Sequence, residues 1–191
     1  MKICIFGASS NRLDPRFYED ARRFGSQLAA HGHSLVFGGG AGGLMGACAE
    51  GAAGAEILGV APRFFDEPGI LYPGCTRMIF TETMRERKAL MEEEAEAFVV
   101  LPGGIGTFEE FFETLTLKQL GRHGKPIALL NTLGCYDAMQ ELLRRSAETG
   151  FLSAACLALY GLCASPDEAL AYVENAQPLT GGISRLEDYA K

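Results

Sequence analysis

Short apolar, β-rich runs recur along the chain and alternate with longer stretches in which apolar positions return every three or four residues. The runs Ile3–Phe6, Leu35–Phe37, Ile57–Ala61, Met78–Phe80, Phe98–Leu101, Ile127–Leu130 and Leu157–Leu162 read as strands. Between them the spacing predicts helices over Pro15–Ala30, Gly43–Ala53, Thr83–Ala95, Thr107–Leu120, Tyr136–Glu148 and Pro166–Glu174. Near-continuous apolar strands separated by helices mark a parallel sheet covered on both faces. Right-handed crossovers then wind it into an α/β, Rossmann-like doubly wound fold. Without an internal repeat or a linker, residues 1–177 are expected to form one domain, followed by a flexible tail over 178–191.

Composition narrows the function classes. The 191 residues carry 17 Lys+Arg against 24 Asp+Glu, a net charge of −7. That sign argues against a surface that coats nucleic acid or an anionic membrane. The six cysteines are scattered without a Cys-x-x-Cys pair, and the histidines His31, His33 and His123 show no metal-ligand spacing and no triad partner. The cysteines are expected to be reduced thiols. No signal peptide and no membrane span is predicted, so a cytoplasmic location is expected.

Three predicted strands end in small or glycine-rich turns: Gly7-Ala8-Ser9-Ser10, Gly38-Gly39-Gly40-Ala41-Gly42-Gly43 and Pro102-Gly103-Gly104-Ile105-Gly106-Thr107. In a parallel sheet all three fall at the carboxyl edge. There glycine lets the backbone approach a ligand, and the next helix start offers free N–H groups to a phosphate. Glycine in any one turn needs no ligand to explain it, but three on one edge predict a phosphorylated small molecule. The segment Gly38 to Gly43 fits Gly-x-Gly-x-x-Gly, yet it follows the second strand, and Arg63 stands where a dinucleotide site wants an acid. No Walker A lysine follows a glycine turn: Gly43 leads into Leu44, and Gly124-Lys125 runs into Pro126.

Two charged clusters flank these turns. Met84, Arg87, Lys88 and Met91 share one face of the helix that Thr83 and Glu86 are spaced to cap, which places two cations beside an apolar stripe. Arg87 and Lys88 are expected to face an anion, or else to extend along the rim of the stripe. The second cluster is Thr107-Phe108-Glu109-Glu110. Thr107 and Glu110 also have capping-box spacing, so Glu110 reads either as a helix cap or as a carboxylate facing the ligand's ribose.

Taken in order, Gly38-Gly39-Gly40-x-x-Gly43-Leu44-Met45-Gly46, Met84-x-x-Arg87-Lys88-x-x-Met91 and Pro102-Gly103-Gly104-x-Gly106-Thr107-x-x-Glu110 resemble the LOG ("Lonely Guy") family of phosphoribohydrolases. The resemblance implies a nucleotide-binding Rossmann-like domain that hydrolyses the N-glycosidic bond of adenosine 5′-monophosphates, N6-substituted (cytokinin) forms included. Free base and ribose 5-phosphate are the products. It implies no metal and no organic cofactor, and a homodimer with the site near the subunit interface. Arg87 and Glu110 are the catalytic candidates. The resemblance places Lys88, Gly103, Gly104, Ile105, Gly106, Thr107, Phe108 and Glu109 around the phosphate and ribose, and Gly7, Ser9, Gly39, Gly40, Gly43, Met84 and Thr116 as further contacts. The family is also labelled lysine decarboxylase, but no lysine has the setting of a pyridoxal phosphate Schiff base. The stretch Pro62 to Thr76 follows no family motif and is expected to shape the base pocket. The competing expectation is a non-catalytic nucleotide or molybdenum-cofactor carrier on the same fold.

Overall fold

The computed structural model describes residues 1–177; the expected tail over 178–191 lies outside the described residues. Seven strands form one parallel sheet in the order β4-β3-β2-β1-β5-β6-β7. They are β1 (Lys2–Phe6), β2 (Ser34–Phe37), β3 (Ile57–Pro62), β4 (Arg77–Thr81), β5 (Ala97–Val100), β6 (Ile127–Leu130) and β7 (Gly161–Cys163). Among the described residues the α-helices are α1 (Pro15–Ala30), α2 (Gly43–Gly51), α3 (Met84–Glu94), α4 (Ile105–Gln119), α5 (Asp137–Glu148) and α6 (Pro166–Asn175). The expected α/β doubly wound architecture is the one found.

Alternation along the strands builds two cores. Ile3, Ile5, Leu35, Phe37, Val99 and Leu101 face α1, α2 and α6, where Phe24, Leu28, Leu44 and Leu170 pack against them. Cys4, Phe6, Val36, Phe98 and Val100 face α3, α4 and α5, where Met91, Phe111, Leu115 and Leu143 meet them. Because successive side chains of a strand point to opposite faces, burying every strand residue requires helices on both.

The chain runs outward from β1 to β4 and then crosses back, placing β5 on the other side of β1. Strand order therefore reverses between β1 and β5, whose carboxyl ends are level, with Phe6 opposite Val100. A crevice opens there, as at the switch point of any open α/β sheet.

Two boundaries depart from expectation. The seventh strand is Gly161–Cys163, and the first two residues of the predicted run, Leu157 and Ala158, end a 3₁₀ turn over Ala154–Ala158, which Ser153 caps on the Ala155 N–H. Its apolar residues serve a loop core, with Leu159 fully buried without being in a strand. The helix predicted from Thr107 begins at Ile105, with Gly104 as its N-cap.

Candidate active site

Above the crevice lies a cavity of about 730 Å³. Gly7 to Asn11 form one wall, Gly38, Gly40 and Gly42 a second, and Gly104 to Thr107 a third. Each group is the turn that leaves β1, β2 or β5.

Helix capping separates the cavity from the rest of the molecule. Asp14, Thr83 and Ser165 cap α1, α3 and α6 through their side chains, and the Thr83–Glu86 capping box forms as the spacing predicts. The helices α2 and α4 begin at the cavity with Gly42 and Gly104 as N-caps, which have no side chain to offer. Away from it, α5 also lacks a side-chain cap at Tyr136 but carries Asp137 in its first turn. At α2, the Gly43 N–H is taken by Asn11 Oδ1 at 2.8 Å and the Leu44 N–H by Ala8 O at 2.8 Å. At α4 the first-turn amides carry no such bond from a cap, and they sit with the positive end of the helix dipole at the cavity wall. A Cβ at Gly104 or Gly106 would meet no protein atom within 4 Å. The space left there by glycine is open for a ligand.

The buried charged groups at the cavity wall come from α3 and α4. Arg87 Nη1 donates to Glu110 Oε1 at 2.9 Å, and Arg87 Nε donates to Val60 O at 3.2 Å. The side chains are 7% and 12% exposed, and both line the cavity. The guanidinium lies so tightly against Gly38 that a Cβ at that position would overlap Nη2. Burial pushes the Glu110 carboxyl above its ordinary range, and the Arg87 guanidinium opposes that rise. A buried pair of this kind is a weak source of stability, since the desolvation of two charges offsets their attraction. Its position at a cavity wall is instead what pre-organised charge for chemistry requires.

Part of the cavity lining is apolar. The loop after β3 folds back on the second glycine turn, where Gly40 and Leu71 form an antiparallel bridge and Tyr72 N–H donates to Gly39 O at 2.8 Å. This brings Phe65, Ile70 and Leu71 to the cavity, which Met45, Met84 and Ile105 also line. Ile105 is 88% exposed and Ile70 46%, so the mouth is apolar as well as the wall.

A family profile described as "possible lysine decarboxylase" matches residues 45–173. The cytokinin riboside 5′-monophosphate phosphoribohydrolase LOG2 of Arabidopsis thaliana is 38% identical over 154 residues, covering 80% of this chain and 72% of the relative. The enzyme of the same name designated LOG7, also from Arabidopsis thaliana, is 37% identical over 154 residues, covering 80% and 71%. The chain belongs to the LOG family. Among solved structures, the molybdenum cofactor carrier protein of Chlamydomonas reinhardtii superposes with a TM-score of 0.69 at 23% identity, covering 91% of this chain and 95% of that one. That likeness concerns the fold alone.

Of the residues that the LOG resemblance nominated, the fold brings Gly7, Ser9, Gly40, Met84, Arg87, Gly104, Ile105, Gly106, Thr107 and Glu110 to one cavity. Gly39 and Gly43 shape its glycine turn through positive φ angles of 75° and 64°, and Gly103 packs on Thr107 from behind. Others lie apart. Lys88 is held by Glu109 and, at 2.5 Å, by Glu113, outside the cavity lining. Phe108 meets Tyr136 edge-on, and Thr116 lines a separate hollow with Phe112, Leu143 and Tyr160. The capping role open to Glu110 is excluded, because α4 starts two residues before Thr107 and the carboxylate turns to Arg87. No described lysine lines the cavity, so the residues present do not fit a pyridoxal phosphate Schiff base.

The cavity also takes in Asn11 and the individual residues Phe65, Ile70 and Leu71, which were not among the expected contacts, and Met45, which stood only inside the glycine-turn motif. For Phe65, Ile70 and Leu71 the only signal was that Pro62 to Thr76 matched no motif. Asn11 is invisible without the fold, since its partner Gly43 lies 32 residues away.

Proposed function

We propose that this chain is a phosphoribohydrolase that cleaves the N-glycosidic bond of adenosine 5′-monophosphate and of its N6-substituted, cytokinin forms. The observation that carries the reading is the buried Arg87–Glu110 pair beside an uncapped helix start in one cavity. The relatives' printed activity supports it. The α4 amides take the 5′-phosphate, which needs no free cation there because backbone N–H groups and the helix dipole supply the charge. The ribose then lies over Arg87 and Glu110, and the base extends toward Phe65, Ile70, Leu71 and Met84, whose apolar surface accepts an N6 substituent.

In the reaction the bond between C1′ and N9 breaks, its electron pair leaves with the base, and water adds its oxygen to C1′. One water proton ends on the departing base. Positive charge grows on the ribose in the transition state, and Glu110 stabilises it and orients the water. Arg87 holds that carboxylate in place and ionised. Lys88 and Glu109 pair with each other outside the cavity lining, and Gly39, Gly43 and Gly103 fix the turns.

The same reading includes a homodimer and a cytoplasmic location. The hollow is lined by Phe112, Leu115, Thr116, Leu143, Leu152 and Leu157, and Leu142 and Phe151, next in sequence to Leu143 and Leu152, are 60% and 88% exposed. An apolar surface of that kind supports a second copy as its cover, and sedimentation velocity reads the outcome directly. All six cysteines are free thiols, in keeping with a reducing compartment. No described helix is long and apolar enough to cross a membrane.

The test is incubation of the purified protein with AMP or N6-isopentenyl-AMP, followed by chromatography of base and ribose 5-phosphate. Release of both products is expected. Tight nucleotide binding without release would replace the enzyme by a carrier.

A further inference from the structure

We propose that His31, His33 and Glu174 form a binding site for a divalent transition-metal ion at the amino edge of the sheet, opposite the catalytic cavity. His31 terminates α1, Gly32 turns the chain with φ 72°, and His33 stands just before β2. Glu174 projects from the last turn of α6. Nδ1 of His31 lies 2.9 Å and Nε2 of His33 2.7 Å from the same oxygen, Glu174 Oε1. The three donor atoms are all within 4.8 Å of one another.

Two imidazole nitrogens and one carboxylate oxygen are the donor set of zinc, nickel or copper, and not of magnesium or calcium, which take oxygen ligands. A tetrahedral ion with bonds of about 2.1 Å sets its donors about 3.4 Å apart. The two short contacts therefore open by roughly half an ångström when the ion replaces the protons shared between imidazole and carboxylate. His31 is free to make that adjustment, with its side chain 51% exposed, while His33 at 13% holds the reference position. Water completes the coordination on the open side.

The spacing His31-x-His33 gave no metal pattern by itself because the third donor lies 141 residues beyond His33. The same separation gives the site its effect. A bound ion ties the turn before β2 to α6, the C-terminal helix of the described chain, and so stabilises the folded state.

Zinc titrated into the untagged protein by calorimetry, alongside thermal denaturation, tests the proposal. One equivalent is expected to bind, and zinc at ten times its dissociation constant raises Tm by about 3–6 °C. Magnesium is expected to give no shift. His33→Gln and Glu174→Gln weaken zinc binding at least about tenfold and abolish the shift, with base release from AMP unchanged. His31→Gln, at the most exposed of the three positions, carries the test if either of the others fails to fold. Absence of zinc binding to the wild-type chain, or binding of equal strength in the folded variants, would overturn the proposal.

Discussion

Replacing Glu110 with glutamine separates the two roles a buried ion pair can have. The substitution removes the charge but keeps a carbonyl oxygen where Oε1 now accepts from Arg87 Nη1 at 2.9 Å. The amide still accepts from the guanidinium, but the buried cation loses its counter-charge, so the loss of stability is expected to stay below the ~3–5 kcal/mol of a fully broken buried pair. For a domain of this size each 1 kcal/mol corresponds to a Tm shift of roughly 2–4 °C. Activity responds differently. A pre-organised charge aimed at the transition state is worth about 10²–10³ in turnover, so Glu110→Gln is expected to lose that factor in base release from AMP. Calorimetric affinity for AMP stays within about threefold, because the phosphate and base contacts remain. Chromatography under saturating AMP gives the rate, and circular dichroism with a melting curve gives the stability. Turnover within threefold of wild type, with or without a fall in Tm, would refute the reasoning and leave Glu110 as the structural partner of Arg87. Glu110→Ala is the contrasting case. It removes the hydrogen-bond acceptor as well as the counter-charge from the buried guanidinium and costs about 3–5 kcal/mol.

Other outcomes follow from the same geometry. The acid limb of the rate profile is expected above the ordinary glutamate range, since the active carboxylate is lost as pH falls through the raised value of Glu110, and Arg87→Met moves the limb higher by removing the opposing cation. A limb unchanged in that variant would detach it from Glu110. Gly106→Ala is expected to stabilise α4 by up to about 1 kcal/mol, because its Cβ meets no protein atom. The same methyl fills ligand space, so KM for AMP rises at least tenfold, and an unchanged KM would show that the phosphate lies elsewhere. Burial lowers the ammonium of Lys118 to about 8 while its Nζ donates to Leu159 O at 2.8 Å. Because the folded value is depressed, its contribution to stability is fully present above about 10.5 and is lost as pH falls toward 8. The stability difference between wild type and Lys118→Met is expected to change in that window and to be flat below it, as denaturant titrations at several pH values would show.

The strands were legible because a buried parallel sheet writes itself as apolar runs, and the Thr83–Glu86 box was legible because both halves of it are local. The start of α4 was not, since a glycine N-cap leaves no side-chain signal and Thr107 to Glu110 imitated one two residues later. Helical spacing placed Arg87 and Lys88 together, but neighbouring residues differ by about 100° around a helix. Arg87 turns inward to Glu110, whereas Lys88 meets Glu109 and Glu113. Those pairings depend on how α3 lies against α4, which no local pattern encodes. The apolar part of the cavity lining was hidden for a similar reason, because Phe65 and Ile70 reach it only after the loop pins itself to Gly39 and Ala41.

The glycine N-cap of α4 has a cost that the enzyme carries through every turnover. The 5′-phosphate is chemically untouched in the proposed reaction, so the amides that greet it on the nucleotide hold it equally well on ribose 5-phosphate. Affinity invested there is uniform between substrate, transition state and product: it lowers KM without speeding the bond cleavage. It also retains the spent sugar after the base has gone. On the proposed reading the helix end sets how long the enzyme waits between reactions, while Arg87 and Glu110 set how fast each one runs.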